Sequence, residues 1–324
     1  MLSELKIWQK RFEREKEIRK EAERLLEVKS LELYHLNHEL QVSIEEYQQT
    51  NEELNSMLEF VNYQKEIIAL KNDAIKKSID AALRIQQATI PTEEELSVIF
   101  TDAFFLNIPK DTVSGDFLWL HDEGEYKIIV LADCTGHGVP GAFMSLIGNA
   151  LLNKIVIDNH IFYPNFILDS LNTSLTDFFR RSNNTLHEGM DMTVLVYHST
   201  TKMIKFAGAK NSLFYVEKDS IFEIKGDKKS IGGKHGDKAI EPFNLHEFQL
   251  REEMFFYFCT DGFQDQFGGE YEKKFMKKKL TALLAQIYKL PAEEQKNKLL
   301  AIFNQWRGEN NQIDDVSILG FSFS

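Results

Sequence analysis

The chain has 324 residues, a formal net charge of −12 and 43% hydrophobic residues. This length allows about two domains with a sizeable core, and the negative charge excludes nucleic-acid binding driven by overall electrostatics. The sequence lacks an apolar run long enough to span a bilayer and contains only two cysteines, Cys134 and Cys259. We therefore expect no membrane span and no disulfide scaffold, and a cytoplasmic location.

The first 90 residues contain neither Gly nor Pro and are rich in good helix formers such as Glu, Lys and Leu. Starting at Leu5, every seventh residue forms a row of twelve positions, of which eleven are apolar. A seven-residue period of this length predicts a left-handed coiled coil. We predict a homodimeric coiled coil over residues 1–74, followed by a switch helix over residues 75–90. A single long helix packed on the rest of the protein is the alternative.

Pro91 is expected to end this helix, and short β-like segments separated by turns follow it. The predicted strands are 126–132, 193–198, 203–207, 213–217, 254–259 and 316–323, with a hairpin turn near 199–202. The predicted helices are 142–156, 165–181, 273–288 and 292–306. Antiparallel strands with inserted helices indicate an α+β domain over residues 91–324 rather than regular βαβ alternation.

Within this second region, four aspartates stand in short motifs at predicted strand ends, and they are Asp116, Asp133, Asp261 and Asp314. Carboxylate oxygens are hard ligands, which suit Mg²⁺ or Mn²⁺ better than Zn²⁺. If they converge, they can hold two divalent cations that activate a water for attack on phosphorus. A single aspartate of this kind is more often a turn residue, so the hypothesis depends on the four motifs together.

A competing motif lies at residues 136–141, which match the G-x-G-x-x-G pattern of dinucleotide-binding proteins after a predicted strand. Three residues separate the strand from the first glycine, and Pro140 falls inside the loop, so this interpretation is the weaker one. The sequence has no P-loop motif. Neither cysteine is followed, six residues on, by the arginine that a cysteine phosphatase requires.

Taken together, these motifs resemble those of metal-dependent protein serine/threonine phosphatases of the PPM superfamily, in the bacterial SpoIIE-like branch. The resemblance extends over residues 90–323. It rests on the segments 109–117, 132–142, 189–193, 206–209, 260–262 and 314–316. It implies a β-sandwich flanked by helix pairs, with two Mn²⁺ or Mg²⁺ ions bound at one end.

The resemblance also implies roles for individual residues. Asp133 would bridge both ions, Asp116 and the backbone carbonyl of Cys134 would bind the first ion, and Asp261 and Asp314 would bind the second. The four aspartates are therefore the expected catalytic residues, because the water between the ions attacks phosphorus in line without a phosphoenzyme. Asp315 is expected to support its neighbour rather than to bind metal, and Asp191 is a candidate ligand for a third ion.

Other positions depart from the family pattern. The phosphate-holding arginine of eukaryotic members has no clear counterpart, and Lys110 and Lys210 are the candidates for its role. His137 is either a general acid or a turn residue. In the helix over residues 75–90, Ile79 and Leu83 are expected to pack on the catalytic domain and to make it a switch.

The predicted function is that of a cytoplasmic, homodimeric phosphatase acting on a phosphorylated signalling protein, such as an anti-sigma-factor antagonist. Its activating input would come from an upstream sensor partner, from the coiled coil itself or from a part missing from this chain. Two alternatives remain. One is a catalytically silent dimeric scaffold with the same fold, and the other is a dinucleotide-binding enzyme that uses residues 136–141.

Overall fold

The computed structural model describes residues 1–181, 188–232 and 241–323. A helix, α1, spans Leu2–Gln87, and the chain divides into two units, Met1–Ile75 and Lys76–Ser324. In the first unit, the apolar members of the seven-residue row are all more than half exposed, namely Leu5, Phe12, Leu26, Leu33, Leu40, Tyr47, Leu54, Val61, Ile68 and Ile75. The predicted long N-terminal helix is confirmed, and its coiled-coil partner stays a prediction.

The helix α1 ends at Gln87, three residues before the end predicted for the switch helix. A turn replaces the last predicted residues, in which the N–H of Thr89 bonds to the carbonyl of Gln86. A short helix, α2 (Glu93–Ile99), follows Pro91. It begins with a capping box, in which the N–H of Glu95 donates to the hydroxyl of Thr92 and the Glu95 carboxylate accepts from the Thr92 N–H.

Two antiparallel sheets form the framework of the second unit. The first sheet has the order β1 (Asp102–Ile108), β13 (Val316–Ser322), β10 (Phe255–Cys259), β6 (Leu213–Glu217) and β7 (Ser220–Ile224). The second has the order β2 (Phe117–Glu123), β3 (Tyr126–Cys134), β4 (Gly189–His198), β5 (Met203–Ala209) and β9 (His246–Gln249), with β8 (Ile231–Gly232) paired to β4. A small hairpin joins β11 (Phe267–Gly268) to β12 (Lys273–Lys274).

Helices cover the outer face of each sheet. The second sheet carries α3 (Gly138–Leu152), its π-helical continuation Asn153–Asp158, and α4 (Pro164–Arg181). The first sheet carries α5 (Gly262–Asp265), α6 (Lys277–Ile287) and α7 (Ala292–Arg307). The predicted helix 273–288 therefore starts later than expected, because Lys273 and Lys274 pair with β11.

The alternation of side chains along the strands explains the layers. In β10, Phe256 and Phe258 lie between the two sheets, whereas Tyr257 faces the helices on the other side. In β3, Ile129 lies between the sheets and Val130 packs under the helices. The strands are thus apolar on both faces, as a sheet that is covered twice requires. The predicted α+β fold, a β-sandwich flanked by helix pairs, is confirmed.

One segment of the described residues, Gly138–Asp158, has the length and apolar composition of a membrane-crossing helix. Its side chains Met144, Leu152 and Ile155 are buried between the second sheet and its helices. A helix in the interior of a globular domain requires the same apolar character, so this segment has a structural explanation within the fold.

Candidate metal centre

The four predicted aspartates lie at the ends of four strands from both sheets. Asp116 immediately precedes β2, and Asp133 is the last residue but one of β3. Asp261 follows the end of β10, and Asp314 precedes the start of β13. The antiparallel register places Asp133 directly opposite Asp191 of β4. The sandwich thus brings the carboxylates to one edge of both sheets.

Hydrogen bonds hold Asp116 beside the first sheet. The hydroxyl of Thr260 donates to the Asp116 carboxylate at 2.8 Å, and it accepts a hydrogen bond from the N–H of Ser317 at 2.9 Å. These contacts connect the start of β2 to the end of β10 and to β13. Because Thr260 directly precedes Asp261, its hydrogen bond to Asp116 also links these two proposed metal ligands.

Asp315 has a separate structural role. It is almost completely buried, and its carboxylate accepts hydrogen bonds from the N–H of Lys110 at 2.7 Å and of Gly115 at 2.6 Å. It therefore anchors the loop before Asp116 to the start of β13. Two charge-assisted hydrogen bonds to backbone N–H groups compensate for the burial of the carboxylate.

The carboxylates are close enough to change one another's ionisation. Burial raises the pKa of Asp116 to about 8, with Thr260 opposing the shift and the charge of Asp315 adding to it. Burial also raises the pKa of Asp133 well above its usual value, and the charges of Asp116, Asp261 and Asp314 raise it further. The pKa of Asp261 is raised to about 6, first by burial and then by Asp314.

This donor set suits a hard divalent cation. Within residues 1–181, 188–232 and 241–323, no three His, Cys, Asp or Glu side chains are arranged to hold a metal ion. The structure instead shows carboxylates that repel one another at a partly buried edge. A bound cation would offset that repulsion and favour their ionised forms. Carboxylate oxygens are also the ligands that Mg²⁺ and Mn²⁺ prefer, so the chemistry of these donors fits such ions, although their spacing in the described residues does not form a three-ligand site.

Glycines allow the backbone segments of this region to approach closely. A Cβ atom on Gly115 would lie 2.8 Å from the Gly136 carbonyl oxygen and 3.2 Å from that of Cys134. A Cβ atom on Gly141 would lie 2.3 Å from the same Gly136 oxygen. Side chains at these positions would displace the loop that contains the proposed Cys134 ligand. Close packing of the backbone therefore accounts for Gly141, one of the glycines that the dinucleotide-binding interpretation assigned to phosphate binding.

His137 and Asp111 form a pair beside this loop. The His137 Nδ1 atom lies 2.6 Å from an Asp111 carboxylate oxygen, and both side chains are about half exposed. His137 stands at the N-terminus of α3 without capping it through its side chain. Both roles considered for His137, in proton transfer and in the turn, are compatible with this position.

The lysine candidates occupy different environments. Lys110 contacts the site through its backbone N–H, which donates to Asp315. Lys210 places its Nζ atom 3.2 Å from the carboxylate of Asp191, which also accepts a hydrogen bond from the Ser230 hydroxyl at 2.6 Å. Among the contacts of the described residues, Lys210 reaches one of the clustered aspartates with its side chain, whereas Lys110 reaches Asp315 only with its backbone.

The C-terminal part of α1 contacts the loop of Asp116 through a buried amide. The Gln86 Nε2 atom donates to the Ser114 carbonyl at 2.6 Å and to the Ser145 hydroxyl at 3.0 Å, and its Oε1 atom accepts from the Ser114 N–H at 3.0 Å. Ile79 and Leu83 are half-buried on the same helix. Sequence patterns do not single out Gln86, because one glutamine among the many polar residues of a long helix gives no signal.

Both cysteines are buried in apolar surroundings. Cys134 belongs to the cluster under α3 and α4, and Cys259 belongs to the cluster under α6 and α7. Burial raises the pKa of the Cys134 thiol well above its usual value and that of Cys259 to about 12. Thiols that stay protonated at neutral pH are poor nucleophiles, so both cysteines serve as small core residues.

Comparisons with known proteins agree with this architecture. The family model described as Stage II sporulation protein E (SpoIIE) matches residues 123–324. The structure is similar to the SiaA-PP2C domain of Pseudomonas aeruginosa, with 30% sequence identity and a TM-score of 0.71, covering 78% of this chain and 98% of that domain.

More distant structures share the fold. A structure of SpoIIE from Bacillus subtilis, containing the PP2C phosphatase domain and a fragment of the regulatory domain, matches with 15% identity and a TM-score of 0.55, covering 68% of this chain and 63% of that one. The RsbU and RsbW domains of a Mycobacterium tuberculosis protein match with 19% identity and a TM-score of 0.52, covering 68% and 60%. Among curated proteins, none matches the chain.

Proposed function

Since the chain belongs to the SpoIIE family of protein serine/threonine phosphatases, we propose that it removes phosphate from serine or threonine of a signalling protein with the help of divalent cations. The observation that carries this proposal is the group of Asp116, Asp133, Asp261 and Asp314 at one edge of the sandwich, where burial and then neighbouring charges raise the pKa values of Asp116, Asp133 and Asp261. Carboxylates with raised pKa values in such an arrangement are typical of functional sites.

Two Mn²⁺ or Mg²⁺ ions, when bound, supply an activated water and neutralise charge on the phosphoryl oxygens. In this proposal Asp133 would contact both ions, Asp116 and the Cys134 carbonyl would hold one, and Asp261 and Asp314 would hold the other. Neighbouring residues hold the proposed ligand Asp116 in position. The Thr260 hydroxyl orients Asp116, and Asp315 fixes the backbone that precedes it.

Proton release is part of this arrangement. Asp116 and Asp133 favour their protonated forms in the folded chain, because burial and neighbouring charges disfavour ionisation. Carboxylates must be deprotonated to bind a metal ion. Binding of cations is therefore expected to release a proton from Asp116 below about pH 8, and to become tighter as the pH rises toward that value. The raised pKa of Asp133 acts in the same direction.

The partners that we propose follow from the exposed surface and from the family. The apolar row of the first unit would be covered by the same row of a second copy, which forms a homodimeric coiled coil. The substrate would be a small phosphorylated protein of the anti-sigma-factor antagonist type, and an upstream partner would supply the activating signal. The proposed substrate and the proposed upstream partner both rest on the resemblance to the family. We also propose that the protein acts in the cytoplasm.

Hydrolysis of a phosphoserine peptide with added Mn²⁺, with Mg²⁺ and with EDTA tests this function. We expect turnover with either ion and none with EDTA. Release of phosphate that is equally fast in EDTA would contradict the proposal. Absence of turnover under all conditions, with the protein folded, would favour the silent-scaffold alternative. Saturable binding of NAD without turnover would favour the dinucleotide-binding alternative.

The substrate itself can be sought with the Asp133→Asn variant as a trap. This variant keeps the surface around the site but is expected to bind cations poorly, so a phosphorylated partner would bind to it without being hydrolysed. Recovery of the same phosphoprotein by the variant and, after phosphatase treatment, its loss from the bound fraction would support a phosphate-dependent complex.

A further inference from the structure

Lys210 has an unusual backbone conformation at the end of β5. Its φ angle is +55°, in the left-handed region that lysine rarely adopts. The surrounding backbone holds it there, since the Lys210 N–H donates to the Asp227 carbonyl at 2.7 Å and the Asp227 N–H donates to the Gly208 carbonyl at 2.8 Å. These hydrogen bonds fix the backbone from which the Lys210 side chain extends.

The ammonium group of Lys210 lies at the border of the cluster of aspartates that contains Asp133. The Lys210 Nζ atom lies 3.2 Å from Asp191, and Asp191 lies opposite Asp133 in the register of β3 and β4. About half of the Lys210 side-chain surface is exposed. A ligand from solution can therefore reach the ammonium group.

A phosphorylated substrate needs a cation at this place. A phosphate monoester at neutral pH carries close to two negative charges, and the described edge presents several carboxylates. Bound divalent cations neutralise the carboxylates that hold them, and a lysine at the rim adds a positive charge that is not a metal ligand. A positive group directed at phosphoryl oxygens is a recurring component of phosphoryl-transfer sites.

Lys210 is better placed for this task than Lys274, which interacts electrostatically with Asp261. Lys274 forms a closer ion pair, 2.8 Å long, with Asp265 at the end of α5. If Lys210 leaves Asp191, the Asp191 carboxylate keeps the hydrogen bond from Ser230. The cost of releasing Lys210 toward a new anion is thereby reduced.

We propose that Lys210 is the cationic residue that binds the phosphoryl group of the substrate and that it exchanges Asp191 for phosphoryl oxygens when substrate enters. This inference rests on the proposed function and adds a substrate-binding residue to it. It assigns to Asp191 the role of holding Lys210 in the free enzyme, where the sequence suggested a third metal ion.

Glycine substitution provides a matched pair of variants for the test. Lys202 lies in the turn at the other end of β5, is exposed and has a φ angle of +53°. Glycine adopts this conformation without strain, so Lys210→Gly and Lys202→Gly should both fold. The two variants lose the same charge from the same type of backbone position, and only the first alters the proposed site. Lys210→Arg keeps the charge.

Steady-state hydrolysis of a phosphoserine peptide and of p-nitrophenyl phosphate in Mn²⁺ provides the first readout. We expect Lys210→Gly to raise KM and the inhibition constant of inorganic phosphate by about tenfold, as the loss of one charge-assisted hydrogen bond implies. Lys202→Gly should match the unaltered protein. Lys210→Arg should restore most of the affinity for phosphate.

Protection against thermal unfolding by inorganic phosphate in Mn²⁺ provides a second readout that does not need turnover. Phosphate should raise the Tm of the unaltered protein and of Lys202→Gly, and it should raise that of Lys210→Gly less. Equal phosphate protection and equal inhibition constants for the two glycine variants would overturn the inference. A change only in the Mn²⁺ dependence of Lys210→Gly would also overturn it, because Lys210 would then act on the metal ligands alone. Loss of turnover in the unaltered protein contradicts the proposed function instead, and the thermal readout still reports on Lys210.

Discussion

The two units of this protein use apolar residues in opposite ways. In the first unit, a seven-residue period places them in one row along a helix, where they remain exposed. In the second unit, strand alternation and amphipathic helices bury them in three clusters on both faces of two sheets. A sequence can therefore carry a strong apolar pattern and yet be unable to cover its own apolar surface. We therefore expect the second unit to be stable alone and the first to need a partner.

The largest effect is expected on phosphatase activity, from a substitution in the second unit, which contains the proposed metal ligands. Asp133→Asn should reduce phosphatase activity roughly a thousand-fold, since metal-derived stabilisation is worth several kcal/mol and each 1.4 kcal/mol is a factor of ten. The oligomeric state should not change, because Asp133 lies in the second unit. Initial rates over a Mn²⁺ titration measure the effect. Asp177→Asn, at an exposed position of α4, is the control. Turnover of Asp133→Asn near that of the control would show that the ligand assignment is wrong.

A second experiment tests the exposed row directly. Leu33→Glu places a charge in the seven-residue row, whereas Leu31→Glu places it outside the row at a similarly exposed position. We expect the unaltered protein and Leu31→Glu to be dimers at micromolar concentration and Leu33→Glu to be largely monomeric. Light scattering coupled to gel filtration measures this. A fragment of residues 91–324 should be monomeric as well. Identical masses for the two glutamate variants would contradict the coiled-coil seam.

Sequence patterns predicted the parts of the fold that depend on neighbouring residues. The strand Leu213–Glu217 was predicted with its observed bounds, and the hairpin between β4 and β5 turns where expected. The strands β1 and β2 were not predicted. In β1, Phe104 and Phe105 pack on opposite sides of the sheet, so the apolar–polar alternation that reveals a strand is weak. Its pairing partner, β13, is about 200 residues away in sequence.

The site divides in the same way. The four aspartates could be selected because each stands in a short motif, and Thr260 was contained in one of those motifs without being recognised. The anchoring of the loop by Asp315 and the contact of Gln86 with Ser114 could not be predicted. These contacts join residues separated by 200 and 28 positions, and nothing in the local pattern of Gln86 distinguishes it from other polar residues of α1.

A smaller effect is expected where the second unit includes the end of α1. Leu83→Ala and Ile79→Ala should each change basal activity several-fold, because both side chains are half-buried on the helix that carries Gln86. Two packings that differ by a few kcal/mol suffice for such a change. Rates, Mn²⁺ affinity and dimer mass should be measured together, with exposed Arg84→Ala as the control. Rates equal to the control for both variants would make this segment a passive connection.

The smallest effect concerns the pH dependence of stability. The pKa of Asp116 rises from 3.8 to about 8 in the folded chain, so between these values the folded state binds more protons than the unfolded state. Metal-free protein should therefore become more stable as the pH falls from about 8 toward 6, and Asp116 should contribute no further change above its folded pKa. Saturating Mn²⁺ should weaken or reverse this trend, because the cation favours the ionised carboxylates. Thermal unfolding at both pH values, with and without Mn²⁺, measures it. A Tm that rises with pH without metal would contradict the proposed origin of the shift.

The contact of Gln86 with Ser114 has a property that the charged contacts of this molecule lack. An amide side chain and a peptide group carry no net charge, so ionic strength hardly affects the strength of their hydrogen bonds. A glutamate at position 86 would lack the donor for the Ser114 carbonyl, and an asparagine would be one methylene shorter. A signal passed from α1 to the site through this contact would therefore be insensitive to salt and to physiological pH. This holds even though the contact ends at Ser114, two residues before the proposed ligand Asp116. Phosphate capture by Lys210 would weaken with added salt, so the two processes could be separated by varying the ionic strength.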